Sequence, residues 1–184
     1  MTVAQFPSLG DRTMKIYKSR IPIIAADVAR ALIDAEAVEV AEEQKSLFIQ
    51  DIADVLTSYI ETERKIHEEA QDLIANRNVD FSSLGRFKRE LAKKCNFGLG
   101  DDAIDWLTDH IIDMLYHTEN VEEIWADNPQ IRKISREVLY RHTQIDDDLD
   151  AEVRAKIKNL SEGSVAWDVR YQQVLAELRR RKGL

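Results

Sequence analysis

One cysteine, three prolines and six glycines in 184 residues leave this chain short of the residues that staple, kink and turn a polypeptide. With Cys95 alone, an internal disulfide framework and a thiolate metal cluster are both excluded, and a reducing compartment fits. Too few turn residues are present to join many short strands. No apolar run approaches the roughly 20 residues of a membrane span, and the opening MTVAQFPSLGDRT lacks the charged start and apolar stretch of a secretory signal. These absences point to a cytoplasmic protein, long enough to bury a core without staples. Catalytic signatures are missing too: there is no glycine-rich phosphate loop, serine nucleophile elbow or H-E-x-x-H.

Charge is plentiful. One third of the residues are ionisable (33%), and the formal net charge of -8 opposes general attraction to nucleic-acid phosphates or anionic lipid. The distribution is uneven, with six cations against two acids from Arg77 to Phe97 and five against one from Arg170 to Leu184.

The apolar residues follow a helical period. Ile24, Val28, Ala31, Leu32 and Ala35 predict a helix from Ile21 to about Ala37, with Pro22 in its first turn. Phe48, Ile52, Val55, Tyr59, Ile66, Ala70 and Leu73 form an a/d seam with one skipped position at Thr62, predicting a continuous helix from about Glu42 to Ala75. Turn residues from Asn76 to Ser83 end it, and a short helix with Leu84, Phe87 and Leu91 closes before Gly98. An offset of 83 residues then carries Val28 onto Ile111, Leu32 onto Leu115, Phe48 onto Ile131, Ile66 onto Leu149 and Ala70 onto Val153. The agreement extends through the interhelix loops and predicts a duplicated three-helix unit, six helices and no strand. Asp127, Pro129 and Gln130 have the spacing of a capping box that opens the second long helix, which should run to about Asn159. The helix lengths predict an elongated all-α fold, in which two short-long-short units share a four-helix-bundle base and each projects a helical-hairpin arm.

The ending EVRAKIKNLSEGSVAWDVRYQQVLAELRRRKG, from Glu152 to Gly183, and the opening MKIYKSRIP from Met14 carry a resemblance. They are similar to the bacterial domain-of-unknown-function family 507, with its R-x-K-I run, Gly-Ser pair, Trp-Asp, Tyr and basic end. The resemblance implies an elongated all-helical protein with a four-helix base and two arms in a Y, and it implies no activity. Its start at Met14 implies that residues 1–13 are an extension or follow a misplaced start codon, and the 83-residue repeat divides the rest into a first unit at 14–98 and a second at 99–184. Val165-Ala166 departs from the Pro-Glu common in the family, and the first unit has Phe81-Ser82-Ser83-Leu84 in place of the motif.

Several constellations are candidate sites. At the expected tip of the second arm, Gly163 suits a helix stop and Ser164 an N-cap. Trp167 then falls in the first turn, followed by Asp168 and Tyr171. A tryptophan there is either a clamp on the hairpin or a partner-binding aromatic. Arg179, Arg180, Arg181 and Lys182 form a basic patch that either complements the helix dipole or binds phosphates. Asp105, Asp109, Asp113 and His117 recur every four residues, a spacing that offers metal ligands but drifts around a helix, so a solvated acidic face is the simpler reading. The run Asp146-Asp147-Asp148-Leu149-Asp150 lacks the loop form of a calcium hand, and His142 reads as a polar seam residue. Trp106 and Trp125 read as core or lid packing. The expectation is a non-enzymatic interaction scaffold or adaptor for a protein partner, with no cofactor and no membrane. A nucleic-acid-associated factor and a metal-dependent enzyme are the alternatives.

Overall fold

A computed structural model describes residues 16–77, 80, 83–159 and 165–182. Six α-helices account for most of them. Helix α1 (Ile21–Asp34) starts with proline in its first turn and buries Ile21, Ile24, Ala25, Val28, Ala29 and Leu32. It stops three residues before the expected Ala37. The Glu36 N–H donates to the Ile33 carbonyl and the Ala37 N–H to the Leu32 carbonyl, both at 2.9 Å, while Glu36 adopts φ 52°. This is a left-handed helix stop made without glycine.

Helix α2 (Lys45–Arg77) has 33 residues, about 50 Å at 1.5 Å per residue. Its buried positions are Phe48, Ile52, Ala53, Leu56, Tyr59, Ile66, Ala70 and Ile74. The heptad seam is therefore corrected at two places, where Leu56 replaces Val55 and Ile74 replaces Leu73. Steps of four dominate, as on a helix of 3.6 residues per turn rather than the 3.5 of a supercoil. At the skipped position both Thr62 and Glu63 are half-buried, and Glu63 lies 3.6 Å from Lys88 of α3 (Leu84–Lys94).

After α3 the chain turns at Asn96, a second non-glycine residue with φ 52°, and enters α4 (Ala103–His117). Here Tyr59, Phe97 and Trp106 form an aromatic cluster, with Tyr59 stacked on Phe97 at 4.8 Å and Trp106 edge-on to Phe97 at 5.1 Å. The Tyr59 hydroxyl donates to the Gly98 carbonyl at 3.2 Å. Burial, and secondarily Glu63, pushes the Tyr59 phenol above its usual range, so it stays a donor. Helix α5 (Asn128–Lys156) opens with a reciprocal capping box: the Gln130 N–H donates to Asp127 Oδ1 at 2.9 Å and the Asp127 N–H to Gln130 Oε1 at 3.2 Å. Helix α6 spans Val165–Lys182.

The all-α class stands, with six helices and almost no strand among the described residues; only the expectation of no strand at all needs correction. The α1–α2 and α4–α5 connections pair as a two-stranded antiparallel ribbon, β1 (Val38–Glu39) with β2 (Glu123–Ile124), in the register Val38 to Ile124 and Glu39 to Glu123. Two extended connections side by side satisfy each other's backbone groups, which are otherwise orphaned next to the core. A strand of two residues is too short to show an alternating pattern.

The chain forms two compact units, divided between Tyr140 and Arg141 within α5. In the first, α2 packs against α1, α3 and α4, and Phe48, Leu56, Leu107, Ile111 and Ile131 are fully buried. The second has its own buried apolar residues, Leu149 and Val153 of α5, Ile157 just beyond its end, and Tyr171, Val174, Leu175 and Leu178 of α6. Among the described residues, no helix is long and apolar enough to cross a membrane.

Candidate functional site

The expected tip divides between described and undescribed residues. Gly163 and Ser164 lie outside the described residues, and Asp168 is placed as a position on α6. Trp167 and Tyr171, one helical turn apart, stack at 4.9 Å, and the Arg154 guanidinium lies over the Trp167 ring at 5.5 Å. Arg154 in turn pairs with Asp150 at 2.6 Å, and the buried Tyr171 donates its hydroxyl to the same carboxylate. One acid thus joins a cation–π contact to a buried phenol, and half-buried Trp167 is engaged within its own unit.

The basic patch is also engaged in part. Arg181 lies 3.8 Å from Glu152 and Lys182 pairs with the same carboxylate, whereas Arg180 is exposed and Arg179 is half-buried. The hydrogen bond from Lys182, with the charges of Lys182, Arg181 and Lys156, holds the Glu152 carboxyl below its ordinary range against a smaller opposing effect of desolvation.

The acidic array on α4 does not converge. Asp109 pairs with Arg132, Asp105 with Arg136 at 2.7 Å, and His117 Nδ1 sits 2.6 Å from the Asp113 carbonyl. Among the described residues, no group of three or more His, Cys, Asp or Glu side chains is arranged to hold a metal. In the second acidic run Leu149 is fully buried and Asp150 serves the Trp167 clamp, while His142 is buried on the seam.

The residue that sequence reasoning misplaced is Trp125. It is 67% exposed, the most exposed of the large apolar side chains among the described residues, and is not core. Its backbone is nevertheless fixed. The Trp125 N–H donates to the Ala37 carbonyl at 3.0 Å, continuing the β1–β2 ribbon, and its indole Nε1–H donates to Glu39 at 3.3 Å. Ile124 turns toward Val38 and the core, so alternation along the extended chain sends Trp125 the other way. Beside it opens a pocket of about 470 Å³, walled by Glu36, Ala37, Trp125, Lys133, Ile134 and Glu137 among others. Tyr116 and Leu47, 58% and 51% exposed, lie near the α4 and α2 ends of the same two connections. A signal was present in the sequence: residues 35–44 and 118–127 hold four acids each and no cation.

Among curated proteins none matches the chain. Residues 14–184, which include the tip, the basic end and the Trp125 ribbon, match the model of the DUF507 family, proteins of unknown function, and the chain belongs to that family.

Proposed function

We propose that this protein is a non-enzymatic helical interaction module, a scaffold or adaptor that presents a surface to a protein partner. The observation that carries this reading is Trp125: a large aromatic held outward by two hydrogen bonds, at the mouth of a pocket and on a short ribbon. A pre-ordered aromatic anchor beside a concavity is what interface hot spots use, because little side-chain freedom is lost on binding. The acid arrays weigh against a catalytic or metal role in one respect, since their closest contacts are ion pairs with arginines rather than convergent oxygens.

The tip of Gly163, Ser164, Trp167, Asp168 and Tyr171 takes second place as a partner surface, because Trp167 and Tyr171 already satisfy Arg154 and Asp150. A phosphate-binding role for Arg179, Arg180, Arg181 and Lys182 is weakened in the same way by Glu152. The two-copy organisation keeps its support. Equivalent helices start at Ile21 and Ala103, Lys45 and Asn128, and Leu84 and Val165, and the ribbon pairs the equivalent connections.

Site-specific photo-crosslinking in cells tests the reading. A crosslinker at position 125 should give a discrete protein adduct that is absent with the group at an α2 surface position such as Glu61. Absence of any adduct from position 125, in protein that retains its helical circular dichroism, would refute the Trp125 face as an interface.

A further inference from the structure

The face around Trp125 also carries information about the chemistry of its partner. Its ribbon places Glu39 directly opposite Glu123, and like charges at paired positions of an antiparallel ribbon repel. The connections that form it, residues 35–44 and 118–127, add Glu36, Glu42, Glu43, Glu119, Glu122 and Asp127 without one basic residue. Elsewhere in the chain acids meet cations, Glu63 with Lys88, Asp105 with Arg136 and Asp150 with Arg154. Among the described residues, the cation paired with an acid of these connections is Lys45, 2.5 Å from Glu42. Glu36 and Glu137 then line the pocket with one cationic residue, Lys133, and Glu39 accepts from the Trp125 indole edge.

We infer that the Trp125 pocket receives an arginine side chain from a basic segment of the partner protein, its guanidinium against the indole face and between the Glu36 and Glu137 carboxylates. This rests on the interface reading above and adds the partner's charge. The pieces fit a guanidinium. An aromatic face attracts a cation through its quadrupole, and a planar fork with five donors serves two carboxylates better than a compact ammonium does. Glu36 gives a separate argument. It occupies a left-handed helix stop where glycine is preferred, so a pocket carboxylate stands where the backbone alone favours no side chain. Binding a cation also relieves the repulsion between Glu39 and Glu123.

The test uses the full chain labelled with 15N, with the Trp125 indole resonance assigned through Trp125→Leu. It is titrated with a short peptide of alternating glycine and arginine, and with the same peptide carrying citrulline, which keeps the shape and loses the charge. The arginine peptide should shift the Trp125 indole saturably and more weakly as salt rises, and the citrulline peptide should not. Read from the backbone amides of the ribbon, Glu36→Gln combined with Glu137→Gln should weaken the arginine peptide about fivefold and Trp125→Leu about threefold, the size of exposed ion-pair and cation–π contributions.

An equal shift from the citrulline peptide overturns the cationic inference and leaves the interface standing. Arginine-peptide shifts that spare the Trp125 indole overturn it also, since they assign binding to the acidic surface at large. Self-association that moves the indole without peptide, and is abolished by Arg179→Glu with Arg180→Glu, assigns the pocket to a second copy of this chain. Loss of the crosslink from position 125 as well would remove the interface reading itself.

Discussion

Replacing glycine by alanine should have opposite effects at two positions of the first unit. A Cβ at Gly98 meets the Asp102 carbonyl oxygen at 2.4 Å, the Trp106 Cβ at 2.7 Å and the Asp102 carbonyl carbon at 2.9 Å. None of these is the free end of a flexible side chain. Asp102 ends the 3-10 turn that opens α4, and Trp106 packs against Tyr59 and Phe97. Relieving the clash therefore moves the start of α4 and disturbs the Tyr59 hydrogen bond to Gly98 itself. The conflict is spatial, since Gly98 is not among the residues with positive φ. Overpacking of this kind costs about 3 kcal/mol, and the lost freedom of the unfolded chain returns about 0.5–1 kcal/mol. The net loss of about 2 kcal/mol corresponds to a fall in Tm of about 4–8 °C for a chain of this size. At Gly85, in the first turn of α3, an added Cβ meets nothing within 4 Å, and Gly85→Ala should stabilise by about 0.5 kcal/mol. Thermal and urea unfolding followed by circular dichroism at constant m-value reads both. A Gly98→Ala protein within 0.5 kcal/mol of the parent (about 0.5 being the spread of neutral surface changes), or one more stable than it, would refute the packing argument.

Other expectations concern single groups. Glu36→Gly should raise stability by about 1 kcal/mol by removing a left-handed Cβ while it weakens the arginine peptide, so the two measurements should move in opposite directions. Ser135 is fully buried on α5 with no hydrogen-bond partner for its hydroxyl among the described residues; Ser135→Ala should stabilise by about 1 kcal/mol in urea unfolding, and a loss of that size would reveal a partner. Burial first, then Lys88, lowers the His67 pKa against the opposing pull of Glu63 and Glu68. The unfolded chain then binds the extra proton, so this part of the stability is intact above about pH 6.5 and declines as pH falls toward the folded value. His67→Gln should flatten stability between about pH 7 and 5, and an unchanged slope would assign it to other groups.

Helix type was legible because it depends on period, which Ile24, Val28, Leu32, Phe48 and Ile52 state clearly, and because Asp127 and Gln130 spell a local cap. What failed depends on phase over long distances or on tertiary pairing. A 3.5 period and a 3.6 period agree near Phe48 and part by Ile74, so the same sequence supported the wrong seam at Val55 and Leu73. The α1 end was misjudged because Ala37 and Val38 are apolar and buried like helix residues, yet their burial comes from the ribbon. That ribbon joins residues 86 apart, Val38 and Ile124, and no local pattern announces such a pair. The exposure of Trp125 follows from the ribbon and was hidden with it.

The distribution of charge connects these errors to function. A protein of net charge -8 with two basic segments invites the expectation that the cations are the binding surface. The contacts suggest the reverse assignment. Lys88 answers the inward Glu63, Arg181 and Lys182 answer Glu152, and Arg132 and Arg136 answer the acids of α4. These cations complement neighbouring helices, where their attraction for a free phosphate is reduced. Among the described residues, the acids of the two connections have no such answer apart from Lys45. Surface ion pairs contribute little to stability, so leaving those acids unpaired costs the fold little, but it leaves a negative field around one ordered, outward tryptophan. Fields of one sign steer association and select partners more than they strengthen binding. The proposed interface therefore coincides with two connections that hold four acids each and no base, and that places the first mutations at Trp125, Glu36 and Glu137.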